Sequence, residues 1–153
     1  MSVRYGFRGM DDFHTMPGYL IRRAQQVSSA LFAMECAAFD LTSVQYAALS
    51  AIGRNPGVDA TRLSALISFD RSTLGDVLER METKNWVART SSASDRRIKV
   101  LSLTPVGQSL LDQVQPAVRR VQDRLLAPFA PAERDQVIAL LSRLADALPG
   151  AAG

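Results

Sequence analysis

Along most of this chain the apolar residues recur three and four positions apart, the spacing of one face of an α-helix; between Trp86 and Leu103 they do not. There the pattern becomes Trp86-Val87-Ala88-Arg89-Thr90, a polar run from Ser91 to Arg97, and Ile98-Lys99-Val100-Leu101-Ser102-Leu103. Two β-prone runs around a turn-rich segment are a hairpin. This single interruption predicts a mainly α protein with one two-stranded β element set among about six helices.

Local signals place the helix ends. Pro17 suits a first turn, where its missing N–H costs nothing. The stripe Leu20, Ala24, Val27, Leu31, Met34 and Ala38 then predicts a first helix over 17–38. Thr42 with Gln45 three residues on is a capping box for a second helix, with Tyr46, Leu49 and Ile52 inward. Asn55-Pro56-Gly57 stops it. Asp59 caps a short third helix with Leu63, Leu66 and Ile67 on its buried face. Asp70 caps a fourth, with Leu74, Val77, Leu78 and Met81 inward. After the hairpin, Thr104-Pro105 opens a fifth helix with the stripe Leu111, Val114, Val118, Val121 and Leu125. Pro116 inside it either bends or divides the helix. A sixth helix carries Val137, Leu141, Leu144 and Leu148 before Pro149-Gly150.

The formal charge of +3 is unevenly placed. Residues 1–40 hold four basic and four acidic side chains, and residues 105–153 hold five of each. Residues 41–104 hold nine basic and six acidic, so the whole excess lies there. No apolar run reaches the roughly 18–20 residues of a membrane span, and residues 1–12 lack the apolar centre of a signal peptide. The single cysteine, Cys36, excludes an internal disulfide framework. A cytoplasmic protein without membrane contact is expected. One histidine and one cysteine far apart give little material for a nucleophile and base, and no phosphate loop, dinucleotide fingerprint or metal-ligand cluster is present. No catalysis, cofactor or metal is expected.

Two short helices joined by a tight turn and followed by a basic hairpin are the order of a winged helix-turn-helix. The second helix of such a pair enters the major groove of duplex DNA with its first turn leading. Here that turn offers Arg71, Ser72 and Thr73, then Asp76. Arg71 can meet a guanine edge or a phosphate, the hydroxyls can bond phosphates or bases, and Asp76 can accept from a cytosine amino group. The plainer reading of Asp76 is an intrahelical pair with Arg80. Gly75, a poor helix residue, suggests close approach by DNA backbone or by a neighbouring helix. Arg96 and Arg97 at the hairpin tip suit the negative potential of a minor groove; Asp95 beside them reads as a brace for an arginine. Thr42 and Arg80 complete the DNA-binding candidates. The bland reading of the basic loop is solubility alone.

Asp95-x-Arg97-x-x-x-Leu101-x-Leu103-Thr104-x-x-Gly107 resembles the wing motif of the MarR family of bacterial regulators. Leu41-Thr42-x-x-Gln45-x-x-x-Leu49 and Asp70-Arg71-Ser72-Thr73 with Leu78-x-x-Met81-x-x-Lys84-x-Trp86-Val87 are similar to the family's second helix and recognition helix. Gly75-Asp76 departs from it, where members often carry a polar or basic pair. The resemblance, over roughly residues 16–148, implies a homodimer built from the first, fifth and sixth helices. It divides the chain into an arm and dimerisation helix (1–40), a winged helix-turn-helix (41–104) and C-terminal dimerisation helices (105–153). It implies a repressor released from a pseudo-palindromic operator by a small aromatic carboxylate or phenol. The segment His14-x-x-Pro17-Gly18-Tyr19-Leu20-Ile21-Arg22-Arg23 is similar to the subgroup that controls nicotinate breakdown and senses 6-hydroxynicotinate. His14, Tyr19, Arg23, Phe39 and Tyr46 are the corresponding ligand-binding candidates, with Arg22 pointing elsewhere. Each also has an ordinary reading: a solvated histidine, core or interface aromatics, and an Arg23 paired with Glu35 or Asp40. Two alternatives stand beside this. One is a winged-helix module that binds protein. The other is a redox regulator using Cys36, which otherwise reads as a small buried hydrophobe.

Overall fold

The computed structural model describes residues 12–147. A 3-10 turn at Phe13–Thr15, capped by the Asp12 side chain, leads into α1 (Pro17–Glu35). A second 3-10 turn at Ala37–Phe39 ends at Asp40 in the left-handed region. Then follow α2 (Ser43–Arg54), β1 (Val58–Asp59), α3 (Ala60–Ile67), α4 (Arg71–Thr83), β2 (Val87–Ser91), β3 (Lys99–Leu103), α5 (Pro105–Leu126) and α6 (Pro131–Ala145). Among the described residues no helix is long and apolar enough to cross a membrane.

The caps sit where side-chain chemistry puts them. Thr42 Oγ1 accepts from the Gln45 N–H at 3.2 Å and the Gln45 side-chain oxygen accepts from the Thr42 N–H at 2.9 Å. Asp59 accepts from the Arg62 N–H at 2.8 Å, and Thr104 Oγ1 from the Gly107 N–H at 3.0 Å. Each satisfies an amide that a helix start would otherwise leave orphaned.

The structure departs from the sequence reading in four places. The first helix ends at Glu35 instead of Ala38, and the chain tightens into a 3-10 turn. The sheet has three strands, because β1 pairs antiparallel with β3 through Val58–Leu101 and Asp59–Val100, giving the order β1-β3-β2. A two-residue strand carries no readable period. Leu66 is 49% exposed, so α3 buries Leu63 and only partly Ile67. Pro116 leaves α5 continuous. Leu148 and the closing Pro149-Gly150 lie outside the described residues.

The core is continuous. Leu49, Ile52, Leu63, Leu74, Leu78, Met81 and Leu101 are fully buried where α2, α3 and α4 close over β3. It extends through Val114, Val118 and Val121 of α5 to Phe32 and Cys36 at the end of α1. Glu35 ties α1 to α5, accepting from Arg120 at 2.7 Å and Arg124 at 2.9 Å. Those two guanidinium hydrogen bonds, Arg120 first, hold the Glu35 carboxyl below the ordinary range. Asp40 is taken by Lys84, whose ammonium lies 2.8 Å from its carboxylate and 4.5 Å from the Trp86 ring centre. Neither acid is a partner for Arg23.

Among the described glycines Gly107 is the most tightly packed. A Cβ there would fall 1.9 Å from the Trp86 carbonyl oxygen, which also accepts from the Thr104 N–H at 3.1 Å. Only a glycine lets α5 start against the root of the hairpin.

Candidate nucleic-acid interface

α3 and α4 are joined by Ser68-Phe69-Asp70, with Ser68 in the left-handed conformation. Asp70 organises the first turn of α4. Its carboxylate accepts from the Thr73 N–H at 2.8 Å, from the Thr73 hydroxyl at 2.7 Å and from the Ser72 hydroxyl. These bonds, the Ser72 hydroxyl first, pull Asp70 down to about 2. They also constrain Ser72 and Thr73. A hydroxyl has one hydrogen, and with both given to Asp70 each residue offers only acceptor lone pairs outward. Phosphate oxygens are acceptors too, so donation to a backbone requires the hydroxyl to leave its cap.

Arg71 faces the other way. Together with Arg89, Arg97 and Lys99 of the hairpin and Asp59 and Thr61 at the start of α3, it lines an open cleft of about 430 Å³. Four cations face one carboxylate across a space bounded by the recognition helix and the wing. Arg89 is anchored to Glu82 of α4 at 3.1 Å, and Lys99 donates to the Ser91 hydroxyl across the ladder at 2.9 Å. The composition-based reading missed Arg89 and Lys99. Part of the signal was present: Lys99 and Leu101 alternate on β3, so they share a face.

At the tip, Asp95 accepts from the Arg97 N–H at 3.0 Å and from its guanidinium at 3.3 and 3.4 Å. Those bonds, the backbone one first, lower the Asp95 pKa. Asp95 therefore braces Arg97. Arg96 is exposed and has no hydrogen-bond or ion-pair partner among the described residues. Thr42 and Arg80 meet on the opposite flank of α4, lining a depression of about 350 Å³ with Asp40 and Lys84. Asp76 and Arg80 do not pair: among the described residues neither has an ionic partner within 4 Å, which removes the intrahelical bridge read from their spacing. Gly75 has nothing within 4 Å of where a Cβ would stand, so no neighbouring helix requires it.

The ligand candidates separate. His14 and Tyr19 meet edge to face at 5.1 Å, with Phe13 4.6 Å from Tyr19. The cation over these rings is Arg22, 5.5 Å from the Tyr19 centroid and 6.0 Å from Phe13. Arg22 thus does not point elsewhere; Arg23 is the one turned to solvent, donating to Gln26 at 3.1 Å. Tyr46 packs on Phe32 at the far end of α1. The 13 residues from Tyr19 to Phe32 span about 20 Å of helix. Phe39 faces a different depression, of about 480 Å³, beside Trp86 and Val106. Cys36 is 1% exposed, and burial, then the Glu35 charge, push its thiol up from its ordinary value. A thiol so placed is a packing residue rather than a ready thiolate.

A helix pair braced on a hairpin, with cations gathered between them, defines a winged helix-turn-helix transcription regulator. Residues 39–98 match the model of the MarR family. A Thauera aromatica relative, described as a transcriptional regulatory protein for the hcr operon, is 33% identical over 83% of this chain and 77% of its own length. The HTH-type transcriptional repressor NicR of Pseudomonas putida is 27% identical, covering 84% of this chain and 82% of NicR. The structure of Bordetella bronchiseptica BpsR, whose DNA binding is regulated by 6-hydroxynicotinic acid, superposes with a TM-score of 0.84 at 27% identity, covering 88% of this chain and 96% of that one. The chain belongs to the MarR family, whose members are DNA-binding transcription regulators and not enzymes.

Proposed function

We propose that this regulator is a homodimeric repressor that holds a pseudo-palindromic operator through α4 and the wing and is released by a small aromatic carboxylate or phenol. The observation that carries the DNA part is the cleft where Arg71, Arg89, Arg97 and Lys99 converge. Each cation that neutralises a phosphate steepens the fall of log affinity with log salt by about 0.9. Operator binding by wild type should therefore fall steeply with salt, and an Arg89→Ala, Lys99→Ala variant should show a shallower slope. An unchanged slope would remove the cleft from the interface. Thr42 and Arg80, on the other flank of α4, are assigned to the adjoining backbone, and Arg96 to the groove beside the wing.

The effector reading rests on the cluster of His14, Phe13, Tyr19 and Arg22. A cation and an imidazole beside aromatic faces suit a planar carboxylate, and 6-hydroxynicotinate is the candidate that the likeness to NicR and BpsR favours. Phe39 and Tyr46 lie too far along the same chain to close on that ligand, so the proposed contacts are His14, Tyr19 and Arg22, with Arg23 tested beside them. A thermal-shift screen with 6-hydroxynicotinate and benzoate should raise the melting temperature, since a ligand of the native state stabilises it. The hit should release DNA from wild type and from Arg23→Ala but not from Arg22→Ala. Release from Arg22→Ala would move the site elsewhere.

A further inference from the structure

We propose that Gly75 and Asp76 are the base-reading pair of α4: the bare backbone at 75 seats the helix deep in the groove, and the short Asp76 carboxylate accepts from the amino group of a cytosine. This rests on the reading that α4 enters the major groove.

Glycine is among the worst residues for a helix interior. It is tolerated where φ is positive or where another group presses on the backbone. Neither holds at 75. The only glycine with positive φ among the described residues is Gly57, and a Cβ at 75 would meet nothing within 4 Å. Among the described residues nothing has a use for a glycine here, which leaves a bound molecule as the group that approaches. Gly75 follows Arg71 by one turn, on the same side of α4.

Asp76 is as unexplained by the isolated chain. It is exposed, and no side chain among the described residues pairs with it. It follows Ser72 by one turn and opposes the buried Leu74, Leu78 and Met81, so it stands on the outward line of the helix. A carboxylate there is repelled by phosphate and by every acceptor in the groove. The major groove has two kinds of donor, the amino groups of cytosine and adenine. Adenine carries the N7 acceptor on its own ring beside the amino group, which opposes a carboxylate; cytosine has only a C–H there, so the paired guanine O6 is the one acceptor next to its amino group. Aspartate reaches only a short way from its helix, and the missing side chain one residue before allows the approach that this reach demands.

The test is selection of duplexes from a random pool by the intact protein, wild type and variants, with melting temperatures measured in parallel. Wild type should fix a cytosine at one position of each half-site. Asp76→Ala should lose that preference by about tenfold while keeping the others. Asp76→Asn should move it to adenine, whose N6 and N7 an amide can bond together. Glu79→Gln, one turn on, should leave the selected sequence unchanged. Gly75→Ala should raise the melting temperature and lower operator affinity. Three results would overturn the proposal: Asp76→Ala tightening binding to all sequences alike, Glu79→Gln shifting the selected base, or Gly75→Ala binding the operator as wild type does. A wild type that shifts no duplex at all would defeat the underlying DNA reading as well.

Discussion

The stretch from α2 to β3 and the pair α1 and α6 use the same apolar residue types to opposite ends. Between α2 and β3 the stripes close on one another: Leu49, Ile52, Leu63, Leu74 and Leu78 are each 0% exposed. In α1 the predicted stripe looks outward, with Leu20, Val27 and Met34 between 48% and 63% exposed, and only Phe32 is buried. α6 buries no residue, and Ile138, Leu140, Leu141 and Leu144 are all about half exposed. Apolar surface on this scale marks an interface. One region is covered within the described residues; the other is the face that the proposed dimer would cover.

The sharpest way to break that contrast is to charge the open half. Leu141→Glu with Leu144→Glu should convert the proposed dimer to monomer in sedimentation velocity, because carboxylates cannot be buried there without partners. A variant that still sediments as wild type would place the interface elsewhere. Next in size is Gly107→Ala, which strikes the closed half at its junction with α5. The Trp86 carbonyl is backbone and cannot swing aside, so overpacking should cost about 1–3 kcal/mol in urea unfolding. Arg97→Ala should weaken operator binding by about tenfold at fixed salt, with no loss of stability; a fall in the urea midpoint would instead make Asp95–Arg97 a structural pair. The smallest effect is on the closed half's own cap. The Asp70 pKa is depressed in the folded state, so its contribution is full above the ordinary aspartate value near 4 and is lost as pH falls toward about 2. Protection of the amides in the first turn of α4, taken relative to their intrinsic exchange rates, should fall across that window in wild type, and an Asp70→Asn variant should lack that change.

What could be read from sequence follows the same divide. Thr42 with Gln45, Asp59, Asp70 and Thr104 were legible because a cap acts within three residues of itself. The brace of Arg97 by Asp95 is local for the same reason. Glu35 meets Arg120 and Arg124 across 85 and 89 positions, and Lys84 meets Asp40 across 44, distances at which spacing carries no information. Periodicity identified the apolar faces of α1 and α3 but not whether this chain covers them, which is why Leu66 and the α1 stripe emerged exposed. Arg22 and Arg23 differ by one step around a helix, and only the turn at Phe13–Thr15 folding back onto Tyr19 decides which of them meets an aromatic ring.

The contact between Gly107 and Trp86 has a mechanical consequence. It fixes the hairpin to the first turn of α5, so the two turn as one rigid arm. The five residues of β2 carry the tip about 16 Å from that fixed point, and each degree of rotation there displaces Arg97 by about 0.3 Å. A hydrogen bond is lost over less than an ångström of stretch, so a tilt of α5 by a few degrees, if the hairpin follows it, would move the tip by more than the proposed DNA contacts tolerate, at the expense of the pairing of β3 with β1 and of Arg89 with Glu82.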